Sequence, residues 1–483
     1  MAKNQHLSAS SDLIAARKQA IIDELIRQQE EADLWVRYQV INNDRIDILC
    51  EEVLGYNLED FHNEILKFQF HHEHGLILAP RGFGKTTIGT IARVVFEILK
   101  NPNISILLAS RVTGNAEDIL DEVSGHFVKN EKFIRIFGNL VGTPWYSRQI
   151  TVANKTKISK EPTVNTIGSD SGVVGKHYDL VICDDLVDEE NSRTEHMREH
   201  VRNWFYMSLY PTVKPGGRLW VVGTRYHFED MYGHLLEHEF KNAYIRIPAL
   251  NDAGISAWED RFSTKLLFER KAAMGAIIFN AQYMNDVDMM KGEVFKHEWT
   301  KVVSTLPAFT KGTYMGIDLA IGEESKHDFY VRVNIGISED LNIYVIDVLM
   351  KRLTFRKQTE DIRDALHLHD PVRTGIESNN YQRAQYQNVK AEEPDFIFVP
   401  IVMKVDKMTR AWRATKYFES GRVHFHNSVE FARDLLVKFP DAKGSKDLFD
   451  AIDMALTVAF RKTKRNVRPP EDEPGILSPK GIS

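Results

Sequence analysis

Leu76-Ile-Leu-Ala-Pro-Arg-Gly-Phe-Gly-Lys-Thr-Thr-Ile88 joins an apolar run to a glycine-rich turn and then to a helix-forming stretch. Strand, glycine turn and helix in that order form the local context of a phosphate-binding loop. Gly82 and Gly84 let backbone N–H groups turn inward around phosphate oxygens, and the positive end of the next helix points at the same place. Lys85 is placed to reach the β and γ phosphates and Thr86 to hold Mg²⁺. The expected nucleotide contacts are Arg81, Gly82, Phe83, Gly84, Lys85, Thr86 and Thr87. One departure stands out: the first glycine of G-x-x-x-x-G-K-S/T is Ala79 here.

A phosphate loop alone hydrolyses nothing, so an acidic strand end is required. Tyr178-Asp-Leu-Val-Ile-Cys-Asp184-Asp185 supplies it. Asp184 is expected to orient the Mg²⁺-bound water, and Asp185 to activate the attacking water. Asp185 is shorter than the usual Glu, which leaves Glu189 and Glu190 as alternatives. A further apolar strand, Leu219-Trp-Val-Val-Gly223, ends in Thr224 and Arg225, which in a parallel sheet would lie beside the γ-phosphate. Arg81, Arg111 and Arg148 are candidates for neutralising transition-state charge. Together with Ile104–Ser110 and Tyr244–Pro248, these runs alternate with amphipathic stretches, so a mostly parallel sheet covered on both faces is expected.

The second half carries a different constellation. Gly316-Ile-Asp318 and Gly375-Ile-Glu377 each end an apolar strand in an acid, and Asp450 and Asp453 are i,i+3 neighbours on one helix face. Carboxylates converging from two strands and a helix can hold two divalent metals about 3.5–4 Å apart, the clamp used for in-line attack on a phosphodiester. Oxygen ligands favour Mg²⁺ or Mn²⁺. Asp347 also ends a strand and reads as structural, while His327, Asp447, Lys404, Lys407 and Arg410 are accessory candidates. Three strands in meander, at 314–318, 331–337 and 342–347, followed by alternating helix and strand indicate a mixed sheet.

The length of 483 residues suggests two to four domains, at roughly 100 to 200 residues each. With 43% hydrophobic and 27% charged residues the chain has the balance of a globular protein, which excludes wholesale disorder. No stretch approaches a membrane span, the opening residues lead into no apolar run, and two cysteines are too few for a disulfide framework, so a reducing cytoplasm is expected. The net charge of −6 confines nucleic-acid contact to local patches. One basic run, Arg461–Arg468, is such a patch or a solvated tail.

A nucleotide motor followed by a two-metal nuclease resembles a large terminase subunit of a tailed bacteriophage. The resemblance rests on 79–87, 179–191, 222–227, 316–320, 375–379 and 449–456, in order, and covers about residues 60–460. It implies a RecA-like P-loop ATPase domain of the additional-strand class and an RNase H-like nuclease domain. Apolar positions at helical spacing over 12–36 and the loss of α/β rhythm over 251–310, which hold a helix-like stretch at 265–282, complete the expected division: an N-terminal helical adapter at 1–55, the ATPase at 56–250, a linker subdomain at 251–310, the nuclease at 311–465 and a flexible tail at 466–483. The resemblance implies ATP as the nucleotide, with Thr224 among its contacts, Asp184 with Thr86 on its Mg²⁺, and two ions on Asp318, Glu377, Asp450 and Asp453. The family places the first of two adjacent aspartates where Phe449 stands, so Asp450 alone or Asp450 with Asp453 completes the site. The family's adenine-contact glutamine has no clean counterpart, with His62 and Gln69 as substitutes. The implied task is to cut concatemeric DNA and pump double-stranded DNA through a portal into a procapsid. Implied partners are a small terminase subunit and the portal protein, with the chain in a homo-oligomeric ring, often a pentamer. The implied place is the host cytoplasm, docked transiently on the portal and absent from the mature virion. The competing classes are a cellular DNA-processing ATPase or helicase with a nuclease domain, and a non-catalytic docking subunit of the same fold.

Overall fold

The computed structural model describes residues 2–169, 171–172, 175–320, 329–378, 383–403 and 405–461, without the side chains of 2–16 and 384. His327, Lys404 and the 466–483 tail lie outside the described residues. The chain divides into two compact units, one of residues 1–294 with 408–420 and one of residues 295–407 with 421–483.

The first unit is built on an eight-stranded sheet: β1 (His74–Leu78), β2 (Ile106–Ser110), β3 (Val141–Tyr146), β4 (Gln149–Val152), β5 (Val164–Gly168), β6 (Tyr178–Asp184), β7 (Val213–Gly223) and β8 (Tyr244–Arg246). Its order is β3-β4-β5-β2-β6-β7-β1-β8, parallel from β5 to β8, with β3 and β4 as an antiparallel edge. Alternate residues of the central strands feed two cores. Ile77, Leu108, Ile182 and Val222 enter one, and Leu78, Leu107, Val181 and Val221 the other. Burial on both faces is why these strands read as continuous apolar runs. The β3–β4 edge is half exposed, and its mixed polarity gave no comparable signal.

The N-terminal helix runs over Ala2–Asn42, longer than its apolar pattern indicates. Residues near the end of the expected adapter are not set apart from the first unit: Val36, Val40, Ile46, Leu49 and Val53 are buried in the same core as Phe61 and Ile65. Residues 251–294 of the expected linker also pack there, through Phe262, Leu267, Phe279 and Tyr283. Their helical stretch is two helices, Thr264–Met274 and Ala276–Met284, broken at Gly275 with φ +86°.

The second unit is a seven-stranded mixed sheet of β9 (Lys301–Val303), β10 (Thr313–Asp318), β11 (Tyr330–Ile337), β12 (Ile343–Lys351), β13 (Arg373–Glu377), β14 (Phe398–Ile401) and β15 (Val423–His426). The order β14-β13-β10-β11-β12-β15-β9 contains the expected antiparallel meander β10-β11-β12, flanked on both sides by parallel strands. On one face Met315, Ile317, Tyr330 and Ile376 pack with Ile362 and Leu366 of the Phe355–His369 helix. The Ser445–Ala459 helix covers the other face, close against β10. No helix among the described residues is long and apolar enough to cross a membrane.

Candidate nucleotide and nuclease centres

The glycine turn after β1 adopts the conformation its composition calls for. Gly82 and Gly84 have φ of +83° and +70°, the left-handed region that other residues rarely enter. Ala79, where the motif usually has glycine, is fully buried and its backbone is tied to β7: its N–H donates to the Gly223 carbonyl at 3.1 Å. The Thr224 hydroxyl donates to the Ala79 carbonyl at 2.9 Å. Thr224 thus braces the root of the loop. Arg225 is buried against Asp230 at 3.0 Å and against the carbonyls of His227 and Phe228.

The loop itself is locked from behind. Phe83 is fully buried, stacked on Phe262 with ring centroids 4.7 Å apart and close to Phe61 and Trp258. His62 Nδ1 accepts the Glu59 N–H at 3.1 Å, and its Nε2 lies 3.1 Å from the Phe83 carbonyl. A carbonyl only accepts, so Nε2 carries the proton and His62 is neutral. Burial also holds its pKa down. Gln69 donates to the Gly89 carbonyl at 2.7 Å. Both residues considered for adenine contact therefore support the loop and its helix.

The acids meet the loop from β6. Thr86 Oγ1 donates to Asp184 Oδ1 at 2.8 Å, and Thr90 donates to Oδ2. Thr90 was not singled out in the sequence, although it follows Thr86 by one helical turn. It lies in Thr87–Ala92, a widened π-helical turn of the kind that often accompanies functional sites. Burial, reinforced by Asp185 and opposed by Lys85, raises the Asp184 carboxyl to about 6. Asp185 has φ +47°, and its carboxylate lies 3.1 Å from Lys85 Nζ. Glu189 is held by Arg193 and Arg413, and Glu190 by Arg111 at 3.2 Å. Arg111 also pairs with Asp188 at 2.5 Å, and Arg148 pairs with Glu117 at 2.6 Å. Arg81 stands on the exposed side of the loop, its N–H directed at the Gln282 carbonyl.

In the second unit β10 and β13 run parallel, with Gly316 opposite Gly375 and Ile317 opposite Ile376. Asp318 and Glu377 follow one step on, at neighbouring strand ends. Asp318 is buried, and desolvation first, then Asp450, Glu377 and Asp447, pushes its carboxyl well above the usual range. The ammonium of Lys407 lies 2.5 Å from Asp450 Oδ2. Asp453, one turn beyond Asp450, is half-buried, as is Asp447 one turn before it. Phe449 is fully buried against Phe295 and Phe439, so it belongs to the packing of the helix. The all-oxygen donor set and the mutual repulsion of buried carboxyls suit a hard divalent cation. Among the described residues, however, no three His, Cys, Asp or Glu side chains are already closed around one point.

Asp347 is tied to Arg332 at 2.6 Å and His369 at 3.0 Å. Arg332 also pairs with Asp361 at 2.8 Å. These contacts fit the structural role read from the sequence.

Fold and site together define an ATPase joined to an RNase H-like nuclease. Residues 76–262 match the family model described as the N-terminal part of the terminase large subunit, T4likevirus-type, and residues 315–458 match the terminase RNaseH-like domain. The two ranges together span more than half of the chain, and the chain belongs to the large terminase subunits, the phage DNA-packaging ATPases that carry a nuclease. No curated protein matches it in sequence. Among solved structures, the large terminase of a thermophilic bacteriophage is 10% identical, with 83% of this chain and 99% of that one covered and a TM-score of 0.48. The large terminase nuclease of thermophilic phage G20c with bound magnesium is 12% identical over 34% of this chain and 96% of that one, with a TM-score of 0.28. A Thermus phage large terminase ATPase domain is 14% identical over 48% and 95%, with a TM-score of 0.32.

Proposed function

We propose that the first unit hydrolyses ATP at the loop 81–87 to drive double-stranded DNA into a procapsid, and that the second cuts concatemeric DNA at Asp318, Glu377 and Asp450. The observation that carries the motor assignment is the pairing of loop and strand end: Thr86 bonded to Asp184 and Lys85 paired with Asp185. In this reading the backbone N–H groups of 82–87 cradle phosphate, Lys85 draws charge off the transferred group, and Asp185 accepts the proton of the attacking water. Arg81, on the exposed side of the loop, adds positive charge. Thr86 and Asp184 hold the Mg²⁺ of the nucleotide, which neutralises phosphate charge when bound. Asp185 is preferred as the base because Glu189 and Glu190 are each held by arginines.

In the nuclease, Asp318, Glu377 and Asp450, with Asp447 or Asp453 on the same helix, would hold Mg²⁺ or Mn²⁺, two ions in the complete site. Ions held by these residues would supply Lewis-acid polarisation of the phosphodiester and the attacking water. DNA, a small terminase subunit and the portal protein are the proposed partners, with the chain acting in a ring, a pentamer, on the portal. Its proposed place is the host cytoplasm, transiently on the procapsid and outside the mature virion.

Supercoiled plasmid incubated with the full chain, ATP and Mg²⁺ or Mn²⁺ tests both halves in one tube. Asp318→Ala should abolish cutting and leave ATP hydrolysis, and Lys85→Ala should lower hydrolysis by on the order of 10²–10³-fold and leave cutting. Failure of wild type to cut with either ion, while ATP is consumed, would remove the nuclease half of the proposal.

A further inference from the structure

Lys407 opens the Lys407–Glu419 helix, and its side chain is about one-third exposed while Asp450 is nearly buried. Its ammonium lies 2.5 Å from Asp450 Oδ2, on a carboxylate proposed to hold metal. Asp318 and Glu377, at the ends of the neighbouring parallel strands β10 and β13, stand in the same cluster. The carboxyl cluster thus carries, at Asp450, a positive charge that belongs to the protein itself. A divalent ion entering the cluster meets that covalently attached charge.

We propose that Lys407 is an internal counter-ion of the nuclease centre, competing with divalent metal for Asp450 and setting the metal affinity of the site. The proposal rests on the reading of Asp318, Glu377 and Asp450 as metal ligands. The physical basis is the distance. A unit positive charge one hydrogen bond away from a ligand oxygen repels an arriving dication and occupies a lone pair that the ion needs. Lys407 thereby tunes the affinity of the site, so that loading depends on whether the ammonium swings off Asp450. Lysine suits this role better than arginine would in a fixed fork, because its flexible stem lets the charge leave without moving the helix.

Mn²⁺ binding to the full chain without nucleotide or DNA, measured by titration calorimetry and by the electron paramagnetic resonance of free Mn²⁺, tests this apart from activity. Lys407→Gln removes the charge and keeps the length, and should bind Mn²⁺ on the order of tenfold more tightly than wild type. Lys407→Arg keeps the charge and should stay close to wild type. Equal or weaker binding by Lys407→Gln, with a circular dichroism spectrum like that of wild type, would overturn the proposal and leave the metal site standing. If neither wild type nor Lys407→Gln binds Mn²⁺, the metal-site reading itself falls and takes this one with it.

Discussion

Gly316 and Gly375 lie opposite each other in the β10–β13 pair, and the Ser445–Ala459 helix passes over both. A Cβ on Gly316 would stand 2.0 Å from the Ala451 carbonyl oxygen, and one on Gly375 would stand 3.0 Å from that of Met454. Because side chains alternate along a strand, Asp318 and Glu377, two residues on, face the same helix, and Ile317 and Ile376 face the opposite core. The two glycines therefore let the helix lie close enough for Asp450 to join the strand acids. Gly316→Ala must push the helix backbone away, and should destabilise the second unit by about 2–3 kcal/mol. Gly375→Ala, with a looser contact, should cost less. Thermal unfolding of the two variants checks the ranking, and plasmid cutting should fall further in Gly316→Ala while ATP hydrolysis is kept.

Asp185 and the two glutamates that follow it make opposite predictions. Asp185 faces Lys85 in the loop, while Glu189 and Glu190 are neutralised by Arg193, Arg413 and Arg111. Asp185→Asn should lower kcat for ATP by about 10²–10⁴-fold with a small change in KM. Glu189→Gln and Glu190→Gln should keep most of the activity. A loss confined to Glu190→Gln would move the base to that residue.

Phe83 ties the phosphate loop to its support. Its ring fills the space between Phe61, Trp258 and Phe262, and its carbonyl receives the His62 proton. Phe83→Ala should destabilise the first unit by about 3–5 kcal/mol. Phe83→Leu, which keeps much of the volume, should fold and should show a raised KM for ATP with a smaller change in kcat. Steady-state kinetics on Phe83→Leu separates loop positioning from plain loss of fold.

How much of this was readable beforehand follows from where each residue sits. The central strands announced themselves because both of their faces are buried, and Asp184, Asp185, Asp318 and Glu377 ended such strands. The paired Gly-Ile-acid segments stood out by their likeness to each other, although the reason for the glycines is visible only with the helix in place. Thr224 stands at a strand end beside the phosphate loop, a position legible in the sequence, whereas its 2.9 Å bond to the Ala79 carbonyl, which braces the loop, is visible only in the fold. His62 was noticed as a substitute adenine contact, while its bond to a carbonyl 21 residues along the chain could not be seen in the sequence. The edge strands β3 and β4 were missed because half-exposed residues carry no strict period. Residues 251–310 lacked the α/β rhythm and so read as a linker, yet Phe262, Phe279 and Tyr283 among them complete the first core.

Asp347 provides a pH test away from both centres. The His369 ring hydrogen-bonded to it, and then Arg332 beside it, hold its carboxyl below the usual carboxylate range. A carboxyl whose folded pKa lies below its unfolded value of about 3.9 adds stability that is fully present above that value and is lost as pH falls through the folded pKa. Asp347→Asn removes this contribution and should cost about 1–2 kcal/mol near neutral pH, allowing for the partial exposure of the carboxyl. The gap between wild type and variant should narrow as pH drops below about 4, where the unfolded carboxyl begins to take up its proton. Urea unfolding at a series of pH values from 7 to about 3 reads both quantities. A gap that stays constant across the series would mean that Asp347 contributes through packing, with its charge playing no part.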